Sequence, residues 1–269
     1  MKKNLFIIFL CFYSVYGTAQ DKATSNNSSV QPFLFTVTSL SQDVKAWALN
    51  YTGSYGERTS GPFGYDGVDQ QLAIKGSLGN RFTLFANAAI GVAHSGKMNS
   101  AQQAEVMRDL IGGKKALGPR FGLSLGVSRD WDNVKSAFSR ITGSFDALKW
   151  KAGGSMRFER AFDKSRDGMD LTTSVGLHHK IAGQVYGGFE AVGQDLEGFW
   201  DKEEAEGGAR LLVGPSINIA KPDSRFSFSA CGGPVFYATR SLVAPSSAIR
   251  ELNTDDGFTV RAMISFNLH

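Results

Sequence analysis

The end of the chain alternates without a break. Phe258, Val260, Ala262, Ile264, Phe266 and Leu268 share one parity, and Thr259, Arg261, Met263, Ser265, Asn267 and His269 the other. A period of two is the signature of a β-strand with one apolar and one polar face. It runs for about twice the usual globular strand length of ~5–6 residues. A strand that crosses a bilayer at a tilt needs ~9–11.

The pattern recurs upstream. Phe82, Leu84, Ala86, Ala88, Ile90 and Val92 oppose Arg81, Thr83, Phe85, Asn87, Ala89 and Gly91. Phe121, Leu123, Leu125 and Val127 oppose Arg120, Gly122, Ser124 and Gly126, and similar stretches follow to the C-terminus. The polar faces mix Gly and Ser with isolated Arg, Lys and Glu, while the apolar faces carry almost no charge. This predicts an all-β fold: a closed antiparallel transmembrane β-barrel of about twelve strands with up-and-down topology. Alternation alone does not separate it from a soluble barrel or sandwich, whose apolar face points inward. Strand length, the exported N-terminus and the long last strand favour the membrane.

The expected strands lie at about 33–39, 47–54, 70–78, 81–94, 119–129, 134–143, 149–161, 169–178, 184–194, 209–220, 225–239 and 258–269. Gly79-Asn80 and Lys221–Ser224 read as tight turns. The longer connections are 55–69, 95–118, 195–208 and 240–257. On this count they fall at both ends of the barrel, so one strand is miscounted, with 134–161 the least clean stretch. Asn99–Leu110 reads as a short helix inside a loop, because Ser100 and Gln103 form a capping-box pattern.

The N-terminus reads as a targeting signal. Lys2 and Lys3 precede an apolar run from Leu5 to Val15, and Gly17 and Ala19 supply the small residues of a cleavage site. The expected division is a signal peptide at 1–19, a flexible N-terminus at 20–31 and the outer-membrane barrel at 32–269. The whole chain holds 29 basic and 25 acidic residues, so removal of Lys2 and Lys3 leaves 29 − 2 = 27 against 25. That balance gives no case for nucleic acid as a partner. The partners it implies are outer-membrane lipid, the barrel-insertion machinery and small solutes.

No cofactor or nucleotide fingerprint appears, and neither HExxH nor Cys/His spacing suggests a metal. Adjacent His178 and His179 point to opposite faces of a strand. The acidic loop Asp195–Glu206 could offer oxygens to calcium, although a solvated loop is the simpler reading, and Phe199-Trp200 within it could mark a membrane interface. A Ser–His–acid set such as His178 or His94 with nearby serines matches by residue type alone, so the chain is not read as an enzyme. The lumen is the candidate site. The assigned parity turns Lys75, Arg81, Arg120, Lys149, Lys151 and Arg157 inward, together with Arg210, Arg225 and Arg261. Glu159, Asp170 and Glu190 oppose them. Such a basic excess favours anionic solutes, unless the charges pair and fill the interior.

Gly187-Gly188-Phe189-Glu190-Ala191, an acidic loop, Gly207-Gly208-Ala209, Gly214–Ile217, Arg225–Ala230 and the terminal strand follow one another in order. Over residues 184–269 this resembles an outer-membrane channel family labelled for the MetA pathway of phenol degradation. The resemblance implies a barrel with a transport role and brings no catalytic residues. The function expected is a passive channel or export component for small solutes, anionic or aromatic ones included. The alternatives are a barrel that anchors and displays surface loops, or a membrane-embedded lipid hydrolase.

Overall fold

The computed structural model describes residues 32–40, 47–115, 117–163, 169–199, 209–220, 224–238 and 256–268. Twelve strands form one closed sheet. They are β1 (Trp47–Glu57), β2 (Gly67–Gly79), β3 (Phe82–Ala93), β4 (Met98–Ile111), β5 (Gly118–Arg129), β6 (Lys135–Asp146), β7 (Trp150–Ala161), β8 (Asp170–Ala182), β9 (Val185–Gln194), β10 (Arg210–Ala220), β11 (Phe226–Tyr237) and β12 (Gly257–Asn267). Each pairs antiparallel with its chain neighbours. The β1–β12 ladder, from Ala48 opposite Asn267 to Glu57 opposite Phe258, closes the barrel.

The count of twelve holds through two errors that cancel. Residues 33–39 are not a strand: they lie in the lumen and join no ladder. Residues 99–110 are not a helix: they belong to β4, which pairs with β3 and β5 along its length. Neither face of β4 is cleanly apolar, since Glu105, Met107 and Asp109 share the inner parity and Val106 and Arg108 the outer. A mixed face weakens the period-two signal and leaves the capping-box pattern as the louder one. Residues 134–161 read correctly as β6 and β7. With β4 restored, the four longest connections, 58–66, 162–169, 195–209 and 238–256, all stand at one end. At the other end Asn80 and Arg81, with φ of 49° and 66°, turn β2 tightly into β3. The expected signal peptide and residues 20–31 lie outside the described residues.

Burial runs opposite to that of a soluble protein. Leu72, Ile90, Leu125, Val127, Val175 and Ile264 are exposed on the outside, and Lys75, Glu105, Arg140, Glu190 and Arg210 are buried inside. Ile264 is 49% exposed and its neighbour Ser265 1%, as the parity of the last strand predicts. Charges of outward parity in the described strands stay near the strand ends, at Glu57, Arg108, Arg129, Lys135 and Arg160. Aromatic rings gather at the same levels. Phe82, Phe121, Trp150, Phe226 and Phe266 ring the short-turn end, and Tyr55, Phe236 and Phe258 the long-loop end. An apolar belt between aromatic girdles is the surface a bilayer selects.

Candidate functional site: the barrel lumen

Among the described residues, three ion pairs stand on the inner wall. Arg120 on β5 meets Asp146 on β6 at 2.5 Å and donates through Nε to Ser144. Arg140 on β6 donates to Glu105 on β4 at 3.1 Å, and Glu105 also accepts from Ser124 and Gln103. Arg157 on β7 pairs with Glu159 at 2.7 Å, donates to Gln103 and Ser128, and lies 3.8 Å from the centre of the Phe138 ring. The Lys151 ammonium sits over the Tyr186 ring. Pairing and hydrogen bonding of this kind offset the cost of burying the Arg120, Arg140 and Arg157 charges.

Nine of the twelve charges predicted to face inward, Lys75, Arg120, Lys151, Arg157, Arg210, Arg261, Glu159, Asp170 and Glu190, are inside. Three predicted bases are not. Arg81 lies in the β2–β3 turn, where it donates to the Leu110 carbonyl, and Lys149 and Arg225 are exposed in connections. There the alternation had been carried past the strand ends. Sequence reasoning missed Asp69, Glu105, Asp109, Asp146 and Arg140, which all face the lumen. Reading β4 as a helix hid two of the acids. Extending the parity of β2 and β6 would have found the others. The basic excess therefore gives way to a near balance.

Two pieces of the chain fill the lumen between these walls. From the long-loop end, the connection 58–66 folds inward through a 3-10 turn at Gly61–Phe63. Phe63 is fully buried against Val192, Leu212 and Val235, with the Arg210 guanidinium over its ring. Arg210 also donates to Gln194 at 2.5 Å and to Ser60. Asp69 accepts from Ser54 and from the Tyr65 amide, which holds the returning limb of the connection. The second piece is 32–40. The Leu34 amide donates to both Glu190 oxygens at 3.1 and 2.9 Å, and the Phe35 amide donates to Oε2 at 2.7 Å. Phe33 packs against Gly153, Gly176 and the His178 ring. Val37 joins Ala73, Phe85 and Met107. Ser39 donates to Asp109 at 2.5 Å, and the Leu40 amide donates to Thr83. The two pieces meet at Arg261, which stacks on Phe35 and donates to the Pro62 carbonyl.

The His178 group also bears on the hydrolase alternative. His178 Nε2 lies 2.9 Å from Ser216 Oγ, and Ser216 donates to Glu190 Oε1 at 2.7 Å. A nucleophilic triad needs the imidazole between hydroxyl and carboxylate. Here the hydroxyl lies between the other two, so the imidazole does not bridge hydroxyl and carboxylate. His179 points outward and stacks on Trp150, so the two histidines take opposite faces as the alternation requires. His94 bonds the Gly56 carbonyl near the long-loop end. In the acidic loop, Asp195 accepts from the Leu171 amide and Phe199 is exposed, while Trp200 and residues 201–208 lie outside the described residues.

No family model and no curated protein matches the chain. Solved structures do. The NanC porin shares 11% identity at a TM-score of 0.54, over 82% of this chain and 100% of that one. The KdgM porin shares 12% at 0.52, over 82% and 99%. The KdgM porin in complex with disordered oligogalacturonate shares 11% at 0.51, over the same shares. At such identity the likeness is one of fold: a closed, up-and-down barrel of the outer-membrane porin type.

Proposed function

We propose that the chain is an outer-membrane β-barrel acting as a passive channel for small solutes. The observation that carries this reading is the inside-out wall, apolar between aromatic girdles on the outside and lined with paired charges inside. Such a wall is stable only with hydrocarbon around it. The N-terminal targeting pattern supplies the route of export, and outer-membrane lipid and the insertion machinery follow as partners. The porin neighbours and the resemblance carried by Gly187–Ala191 support transport over a purely structural role. With its acids and bases in near balance, the lumen should select weakly between anions and cations.

A second reading has a specific observation behind it. Residues 32–40 and 58–66 occupy the lumen, as suits a closed barrel that anchors surface loops. Planar-bilayer recording of the full chain and of a variant lacking 20–40 separates the two. A channel gives discrete conductance steps in the variant, larger or more frequent than in the full chain. Silence from both, with folded protein confirmed by heat-dependent gel mobility, overturns the channel and leaves the anchor.

A further inference from the structure

The closed sheet does not need the segment that fills it. All twelve ladders, including the closing β1–β12 pair, form without any residue of 32–40. Yet the wall is shaped to hold that segment. Gly153 on β7 and Gly176 on β8 are direct cross-strand partners. A Cβ at Gly176 would stand 2.5 Å from Phe33 Cδ1, and one at Gly153 3.0 Å from Phe33 Cε2. The paired glycines form a dimple the depth of an aromatic ring. Two residues on, Arg261 offers its guanidinium plane 4.3 Å from the Phe35 ring centre, a cation–π geometry.

Between these two positions stands a fully buried carboxylate. Successive amides of an extended strand point opposite ways. The chain bends at Leu34 and Phe35, and the bend brings both amides onto Glu190. A carboxylate that accepts two main-chain amides reads the backbone rather than a side chain, and it gains the strength of a charge-assisted bond. Ser216 fixes the carboxylate from behind, and His178 in turn fixes Ser216.

We propose that Glu190, the Gly153/Gly176 dimple and Arg261 form a peptide-binding site inside the barrel. Its ligand class is a short bent peptide of the pattern aromatic–x–aromatic. Phe33-Leu34-Phe35 is the resident ligand, held in cis, and a peptide of the same pattern takes its place when the resident is weakened. The inference goes beyond the channel reading and is read without conductance, so either can fail alone.

The test is direct binding to folded protein in detergent micelles. A fluorescein-labelled peptide with the sequence of 32–40 is titrated against two proteins, the variant lacking 20–40 and a full-length Phe33→Ala/Phe35→Ala variant. The second carries the test if the first does not fold. The unsubstituted chain serves as reference. There the tethered resident, at an effective concentration of the order of millimolar, should exclude micromolar peptide. The expected result is saturable anisotropy in the variants. Affinity should fall about tenfold or more when both phenylalanines of the peptide are alanine, as for loss of buried aromatic anchors. It should fall similarly when Glu190→Gln is added to the protein. Binding that ignores the peptide's phenylalanines, or no binding to barrels shown folded by heat-dependent mobility, overturns the proposal.

Discussion

Replacing Gly176 by alanine should loosen the resident segment without weakening the wall. Gly176 has the ordinary extended backbone of a strand, so alanine is unstrained there and recovers the ~0.5–1 kcal/mol that glycine forfeits in a strand. The new methyl meets Phe33 instead. Its ideal position is 2.5 Å from Cδ1 and 2.7 Å from Cε1, against the ~3.5–4.0 Å of a normal carbon contact. The ring must therefore retreat by about 1 Å. Overfilling a packed site of this kind costs about 1–3 kcal/mol, which raises the undocked population about 5- to 150-fold. Chymotrypsin reads that population, because it cuts after Phe33 or Phe35 only when the segment leaves the lumen. With fast docking the cleavage rate follows the undocked fraction. Gly154→Ala is the control: its nearest atoms lie at 3.5 and 3.8 Å and include none of Phe33. Faster trimming in Gly176→Ala, with Gly154→Ala unchanged and both barrels retaining their heat-dependent mobility, is the expected result. Equal rates in all three proteins would refute the packing argument.

Other perturbations probe the wall itself. Ile264→Arg puts a charge on the outer face of β12 away from either girdle and should cost ~2–4 kcal/mol, measured as the denaturant midpoint for folding into lipid vesicles; a cost below about 0.5 kcal/mol, the usual range for surface changes, contradicts the lipid-facing assignment. Ser265→Arg should destabilise as well, because Ser265 is buried in the filled interior and the larger side chain overpacks it. Glu105→Gln leaves Arg140 without its carboxylate in a buried site and should destabilise by about 3–5 kcal/mol. Adding Arg140→Met should recover most of that loss in the same assay, and a strictly additive double variant would show that the pair does not interact.

The wall was legible because the bilayer enforces it. β3, β5, β8 and β12 each present a nearly uncharged face to the outside, so their period of two survives in the sequence. What the interior demands is only partner satisfaction, and that leaves no periodic trace. In β4 the inward positions include Glu105 for Arg140, Met107 for Phe85 and Asp109 for Ser39, a sequence of unlike residues that resembles neither a strand nor a loop. The reverse error fell on 33–39. Phe33, Phe35 and Val37 alternate with Leu34, Thr36 and Thr38 as a strand would, yet each apolar residue answers a different pocket in the lumen and no neighbouring strand pairs with it. Arg157, Glu159 and Glu190 could be assigned inward from parity alone. That Glu190 would bind the backbone of the chain's own N-terminal segment could not, because the contact spans 156 residues and no local pattern encodes it.

The central claim is a membrane barrel whose lumen is occupied by 32–40, and a cross-link between segment and wall tests it most directly. Ser39 and Asp109 meet at 2.5 Å, so Ser39→Cys/Asp109→Cys, in a Cys231→Ser background and in lipid vesicles, places two thiols within reach of a short bifunctional reagent. Cleavage of the denatured product between the two positions then distinguishes a linked chain from an open one. The account predicts efficient intramolecular linkage in the folded barrel, and its loss when Asp109 is kept and the second cysteine is placed on the outer face at Arg108. Linkage that is absent at 109, or equal at 108 and 109, contradicts an occupied lumen.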